Sequence, residues 1–269
     1  MGFFIRDDFY NQLHNKEGIG IFGQKSFIWV SWLNKINISY PIILNLGTNN
    51  VMEKSEWYTN RTWNGAIDGK FEKYLKHTRD TANKAQFMQI QGSLLLENSQ
   101  QNVQNVGVAL LTRVMEDFKT EYTSVIIAQE KLGDYYLYQH DYLQAQYFYK
   151  IVVKYCKEQN SRNGTSTLTD LKLAEALLKG NEADKLLEAL DLVIEFPEVL
   201  LKLMESKYYH SELLAQIYDA MNNEVAAKKF AQAALLLPKL IKPVYKNKTT
   251  ISPKTSERKL RSLQEIITS

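Results

Sequence analysis

Three places in this chain combine residue types that could do chemistry. Asp7, Asp8, His14 and Glu17 put carboxylates beside an imidazole in the first seventeen residues, a combination able to move protons as general acid and base. One reading of the chain is therefore an enzyme with its active site in this N-terminal segment, regulated by the helices after it. Cys156, the only cysteine, stands sixteen positions after His140 (156 − 140). It lies among residues with packing spacing, which points to a buried and inert thiol. The stretch GIGIFG, residues 18–23, has the glycines of a phosphate loop but neither the following Lys-Ser/Thr nor a following helix, so it reads as a strand with turns. The four histidines are scattered, and no HExxH, Walker or GxSxG pattern occurs. No catalytic residue, metal or cofactor is assigned on this basis, and a non-enzymatic role is the first expectation.

Ring stacking is the other chemistry to weigh. Residues 132–152, LGDYYLYQHDYLQAQYFYKIV, hold six tyrosines and one phenylalanine. Tyr136, Tyr142 and Tyr149 fall at packing positions of a helical hairpin, +3, +9 and +16 from Gly133, so the cluster reads mainly as the hairpin's core. Several of its hydroxyls must then find partners at the core's edge.

The elements that position these residues fall into two textures. Residues 18–47 are glycine-punctuated and rich in Ile, Val, Phe and Trp, the signal of two or three short strands. From about residue 69 the pattern changes to Ala, Leu, Lys, Glu and Gln at helical spacing. The expected fold class is mainly α with a small N-terminal α/β or β-hairpin segment. Its parts are an aromatic-rich segment over 1–68, helical repeats over 69–238, and a basic linker with a capping helix over 239–269. A composition of 45% apolar and 23% charged residues fits a globular chain rather than a disordered one. No apolar run reaches the roughly 18 residues of a membrane span. The single cysteine and the lack of a secretory pattern at the N-terminus suggest a cytoplasmic protein with no membrane partner.

The helical part repeats. Leu132-Gly133, Leu173-Ala174 and Leu214-Ala215 are spaced by 41 residues (174 − 133 and 215 − 174), and so are Pro197 and Pro238. From Gly133, Tyr136 follows at +3 and Ala145 at +12; from Ala215, Tyr218 follows at +3 and Ala227 at +12. The unit anchored on Ala174 has Leu186 at +12 instead. A further unit upstream is anchored on Gly92, with Gly107 off register. Small residues at these offsets let two antiparallel helices approach closely. Over roughly residues 84–238 this resembles the tetratricopeptide repeat, whose first helix carries a Leu-Gly or Leu-Ala pair with an aromatic three residues on. The family's period is about 34 residues, so units of 41 need longer helices or longer loops; residues 157–170 form one evident insertion.

The resemblance implies a concave groove lined by the first helix of each hairpin. Carried onto this sequence, the family's groove positions include Glu130, Asp134 and Tyr138 in the first unit, Glu175 in the second, and Tyr209, Glu212, Gln216 and Asp219 in the third. Five carboxylates against Lys179 would make that groove acidic, and the clamp that other members use for a partner's C-terminal carboxylate is disfavoured. The C-terminal segment has the opposite sign: eight basic residues and one acid lie between Lys239 and Arg261. It is expected to be a linker and a capped helix from Ser252 or Ser256, able to fold against the acidic groove of its own or another copy. The expected function is a scaffold binding a basic protein or peptide, as an adaptor, a regulator or an immunity protein masking a basic toxin. Nucleic-acid binding through the basic tail is the lesser alternative.

Overall fold

The structure, a computed structural model, describes residues 56–237 and 257–269. The expected strands, GIGIFG, Asp7, Asp8, His14 and Glu17 lie outside the described residues, as do Pro238, Ser252 and Ser256. The chain divides into units Met1–Leu46 and Gly47–Ser269, and the described helices all belong to the second.

The described residues are mainly α-helical and contain no strand. In chain order the helices are α1 (Gly65–His77), α2 (Thr81–Leu96), α3 (Gln101–Asp117), α4 (Tyr122–Tyr138) and α5 (Tyr142–Glu158). Then follow α6 (Thr169–Lys179), α7 (Leu186–Ile194), α8 (Met204–Ala220), α9 (Glu224–Leu236) and α10 (Glu257–Thr268). Consecutive helices pack as hairpins α2–α3, α4–α5, α6–α7 and α8–α9, and α10 lies on the last of them.

Local chemistry sets the hairpin turns. His140, Asn181 and Asn222 end α4, α6 and α8 in the left-handed region, with φ of 62°, 56° and 58°. They are themselves 41 residues apart. Asparagine tolerates this conformation because its short amide can bond locally, and a left-handed residue just past the last turn satisfies the orphan carbonyls. The next backbone N–H closes two of the turns: Asp141 N bonds Tyr136 O at 2.9 Å and Asn223 N bonds Tyr218 O at 2.8 Å. The following helices start at once, since the Asp141 carboxylate accepts from Gln144 N and the Asn223 carbonyl from Ala226 N. A side-chain oxygen at this position satisfies a first-turn donor.

All four small anchors, Gly92, Gly133, Ala174 and Ala215, are buried on the first helix of a hairpin. At Gly133 the space is fully taken, for a Cβ there would stand 2.7 Å from the Tyr149 ring. Ala145 and Ala227, the small residues expected on the second helices, have no exposed surface. The hairpins α2–α3 and α6–α7 solve the same contact differently, with Gly107 and Ala189 fifteen residues after their anchors. Both lie at the helix–helix contact; Ala189 is fully buried, and a Cβ on Gly107 would be 2.8 Å from the Gly92 carbonyl. The period of 41 arises in both expected ways. Helices α4 and α5 have 17 residues each and are followed by a long loop over 159–168, whereas α6 and α7 are short and joined by a 3-10 turn, Ala183–Lys185.

Candidate functional site

The residues mapped to a groove converge, and they do so by reaching from one hairpin to the next. Glu130 on α4 is 4% exposed. It accepts from Ser166 N at 2.8 Å and from the Thr169 hydroxyl at 2.6 Å, and it lies 3.6 Å from Lys172 Nζ. Asp134, one turn on, accepts from Lys172 Nζ at 2.7 Å and from the Tyr149 hydroxyl at 2.8 Å. On α6, Glu175 pairs with Lys179 and accepts from the Tyr209 hydroxyl of α8. Glu212 on α8 is 2% exposed and is met by Lys259 of α10 at 3.0 Å. Three of the four first helices thus pass a charge-assisted bond to the next element, α4 to α6, α6 to α8, and α8 to α10.

Burial and pairing set the protonation states along this row. Burial alone would lower the Lys172 ammonium, but Asp134 and Glu130 outweigh it and hold its pKa above the usual value. The Glu175 carboxyl is likewise opposed by burial, yet Lys179, the Tyr209 hydroxyl and Lys259 bring it below the ordinary range. At Glu212 the balance reverses. Burial raises its pKa, and Lys259 offsets this only in part, while one carboxylate oxygen, Oε1, is buried without a hydrogen bond. Burial and then Asp134 raise the Tyr149 phenol well above its normal value; burial and then Glu175 do the same for Tyr209. Both phenols therefore stay protonated at neutral pH. Both act as fixed hydrogen-bond donors.

The remaining mapped residues are the ones open to solvent. Tyr138 is 77% exposed, Asp219 is exposed and Gln216 is half-buried. The packing residues Tyr136 and Tyr218 form stacked pairs that the +3 spacing alone did not disclose: Tyr136 with Phe148 at 5.6 Å and Tyr218 with Phe230 at 5.7 Å between ring centres. The equal offset of Phe148 and Phe230 from their anchors, +15 in both units, is the signal by which they could have been found. Two functional-looking residues were outside the groove scheme altogether. Lys172 and Lys259 are the cations that hold the row together, and neither occupies a position that the family resemblance assigns to the groove.

Cys156 is buried, its sulfur 3.5 Å from the Thr165 hydroxyl, while the His140 ring bonds Tyr142. No group of three His, Cys, Asp or Glu side chains among the described residues is arranged to hold a metal. No helix among them is long and apolar enough to cross a membrane. No protein-family model matches this sequence, and no curated protein or solved structure matches it either.

Proposed function

We propose that this chain is a non-enzymatic, tetratricopeptide-like scaffold that takes a basic, partly apolar helix on the face built by the first helices of its hairpins. The observation that supports this reading best is the chain's own α10. That helix places Lys259, Leu263 and Ile266 on one face, at i, i+4 and i+7. Leu263 and Ile266 are buried against Tyr208, Ala227 and Ala231, and Lys259 reaches Glu212 while standing 5.9 Å over the Tyr209 ring. Helix α10 packs more extensively on α9, the second helix of the last hairpin, than on α8, and meets the mapped face only at Glu212 and Tyr209 through Lys259. A partner helix that offers a lysine beside an apolar stripe in the same way is the kind of occupant this face would suit, by the helix-in-groove mode of recognition. Adaptor, regulator and immunity protein against a basic toxin are the biological forms such a scaffold would take.

In this reading α10 is an internal occupant that a partner must displace or extend, so weakening it raises partner binding. The test is affinity capture from the source organism with three baits: wild type, a Lys259→Ala/Leu263→Ala chain, and a Tyr138→Ala/Asp219→Lys chain whose altered side chains are solvent-exposed. A basic partner recovered more strongly by the second bait and lost from the third supports the scaffold. Equal recovery by all three overturns it.

A further inference from the structure

Glu130 and Glu212 hold the same place in their repeats, three residues before the anchors Gly133 and Ala215, and both are buried. Their oxygens fare differently. Glu130 Oε2 accepts from Ser166 N and Oε1 from the Thr169 hydroxyl, with Lys172 Nζ at 3.6 Å as well. At Glu212, Oε2 is met by Lys259 Nζ at 3.0 Å, whereas Oε1 is buried and meets no donor. A buried carboxylate oxygen left without a donor is costly, and the contrast with its fully satisfied equivalent marks a place for one more N–H. The surroundings suit a cation. Lys259 Nζ stands 5.9 Å over the Tyr209 ring, the Tyr209 hydroxyl is bonded to Glu175, and the charge of Lys259 acts on Glu175 as well as on Glu212. The socket is open on its outer side, where the Lys259 side chain that fills it is 42% exposed. Among the described residues α10 alone brings a donor to Glu212, so lifting α10 vacates the socket.

We propose that Glu212, Tyr209 and Glu175 form a subsite for an arginine side chain, which the chain's own α10 fills with a lysine. The ammonium is a point charge that here bonds one oxygen. A guanidinium presents two parallel N–H groups to both oxygens of a carboxylate, so it meets Glu212 Oε1 as well as Oε2, and its flat face stacks on the Tyr209 ring. Given a basic helix as the occupant of this face, on which the assignment rests, that helix's anchor is an arginine where α10 has Lys259. Apolar side chains follow it at i+4 and i+7, in the places of Leu263 and Ile266. A lysine in the internal occupant keeps α10 displaceable, because a partner's arginine gains one bond that α10 does not make.

Two measurements on the full chain separate the subsite from the scaffold. In cis, Lys259→Arg should raise the melting temperature at pH 7 by about 2–4 °C. The gain should vanish when Glu212→Gln is added, since an amide offers one acceptor oxygen where the carboxylate offers two. In trans, the Lys259→Ala/Leu263→Ala chain is titrated with two fluorescein-labelled peptides read by anisotropy, one copying residues 256–269 and the other carrying Lys259→Arg. The arginine peptide should bind about tenfold more tightly. The arginine subsite is overturned, and the seat for a basic helix left standing, if the two peptides bind equally, if the Lys259→Arg chain melts no higher than wild type, or if its gain survives Glu212→Gln. Binding of neither peptide overturns the seat itself and the subsite's role toward a partner, while the melts alone still decide whether Glu212 prefers a guanidinium.

Discussion

At Glu212 two effects of opposite sign meet. Lys259 stabilises the carboxylate, while a nearly complete loss of solvent penalises it, and the penalty wins because the carboxyl's pKa lies above its ordinary 4.5. The folded chain therefore binds this proton more tightly than the unfolded chain does. By linkage, its contribution to stability grows as pH falls through the raised folded value, is complete below 4.5, and is least favourable at neutral pH. Glu212→Gln keeps the shape and removes the charge. Thermal melts should show the variant at least as stable as wild type at pH 7, with the difference shrinking as the acid limit is approached. Glu212→Lys should behave in the opposite way, since it sets a second ammonium in a buried site beside Lys259, at a cost on the order of 3–5 kcal/mol. A neutral-pH melt in which the glutamine variant is much the weaker would show that the pair with Lys259 outweighs burial.

Size compensation between the two helices of each hairpin explains why units that differ in sequence keep one architecture. The +3 and +15 positions hold Tyr136 with Phe148 and Tyr218 with Phe230, both pairs nearly parallel, with interplanar angles of 4° and 7°. In the other two hairpins the same positions hold Leu95 with Gly107 and Leu177 with Ala189. A large pair alternates with a smaller one, and close packing permits either because the interior has little free volume to absorb a change on one side alone. Tyr218 and Phe230 should then be energetically coupled. A double-mutant cycle to leucine and alanine, measured by urea unfolding, should return about 0.5–1.5 kcal/mol of interaction beyond the single changes. Additive effects would mean that the rings merely fill space. The middle of the 132–152 aromatic stretch follows the same logic: Tyr149 is fully buried against Gly133, whereas Tyr138 and Tyr147 are 77% and 60% exposed. Helical spacing made the hairpin legible there, but which rings face inward depends on the neighbouring hairpin, and no local pattern carries that.

Across the molecule, two large apolar clusters meet at the central hairpin. One runs from Trp57 to Phe148, the other from Ala145 to Ile217, and Tyr136 packs against both. A third, centred on Ala231 and Leu263, joins α8, α9 and α10. In an array whose hairpins contact mainly their neighbours, a lesion at the end opens locally and one in the centre is felt throughout. Gly133→Ala tests the centre. Its Cβ would collide with the Tyr149 ring, and the overpacking should cost about 1–3 kcal/mol despite alanine's better helix propensity, worth about 1 kcal/mol. Hydrogen exchange read by mass spectrometry should then speed up across α4–α8 together. If only α4 and α5 respond, the hairpins are less coupled than their shared clusters imply.

Helical periodicity together with the 41-residue spacing of Gly133, Ala174 and Ala215 was enough to read a helical, hairpin-built region, as the described residues show, because helix contacts demand small residues at fixed offsets. The left-handed hairpin turns at His140, Asn181 and Asn222 emerged only in the structure, although their shared 41-residue spacing is present in the chain. What the carboxylates do was decided only in three dimensions. Read along the chain, Glu130, Asp134, Glu175, Glu212 and Asp219 are equivalent acids on one helix face. In the fold the first four are engaged by Lys172, Tyr149, Tyr209, Lys179 and Lys259, most of them from a different helix, and Asp219 stays exposed. The physical reason is distance in sequence: Glu212 and Lys259 are 47 residues apart. Whether a charge faces solvent or a counter-charge is set by how hairpins stack, which periodicity within a helix does not encode.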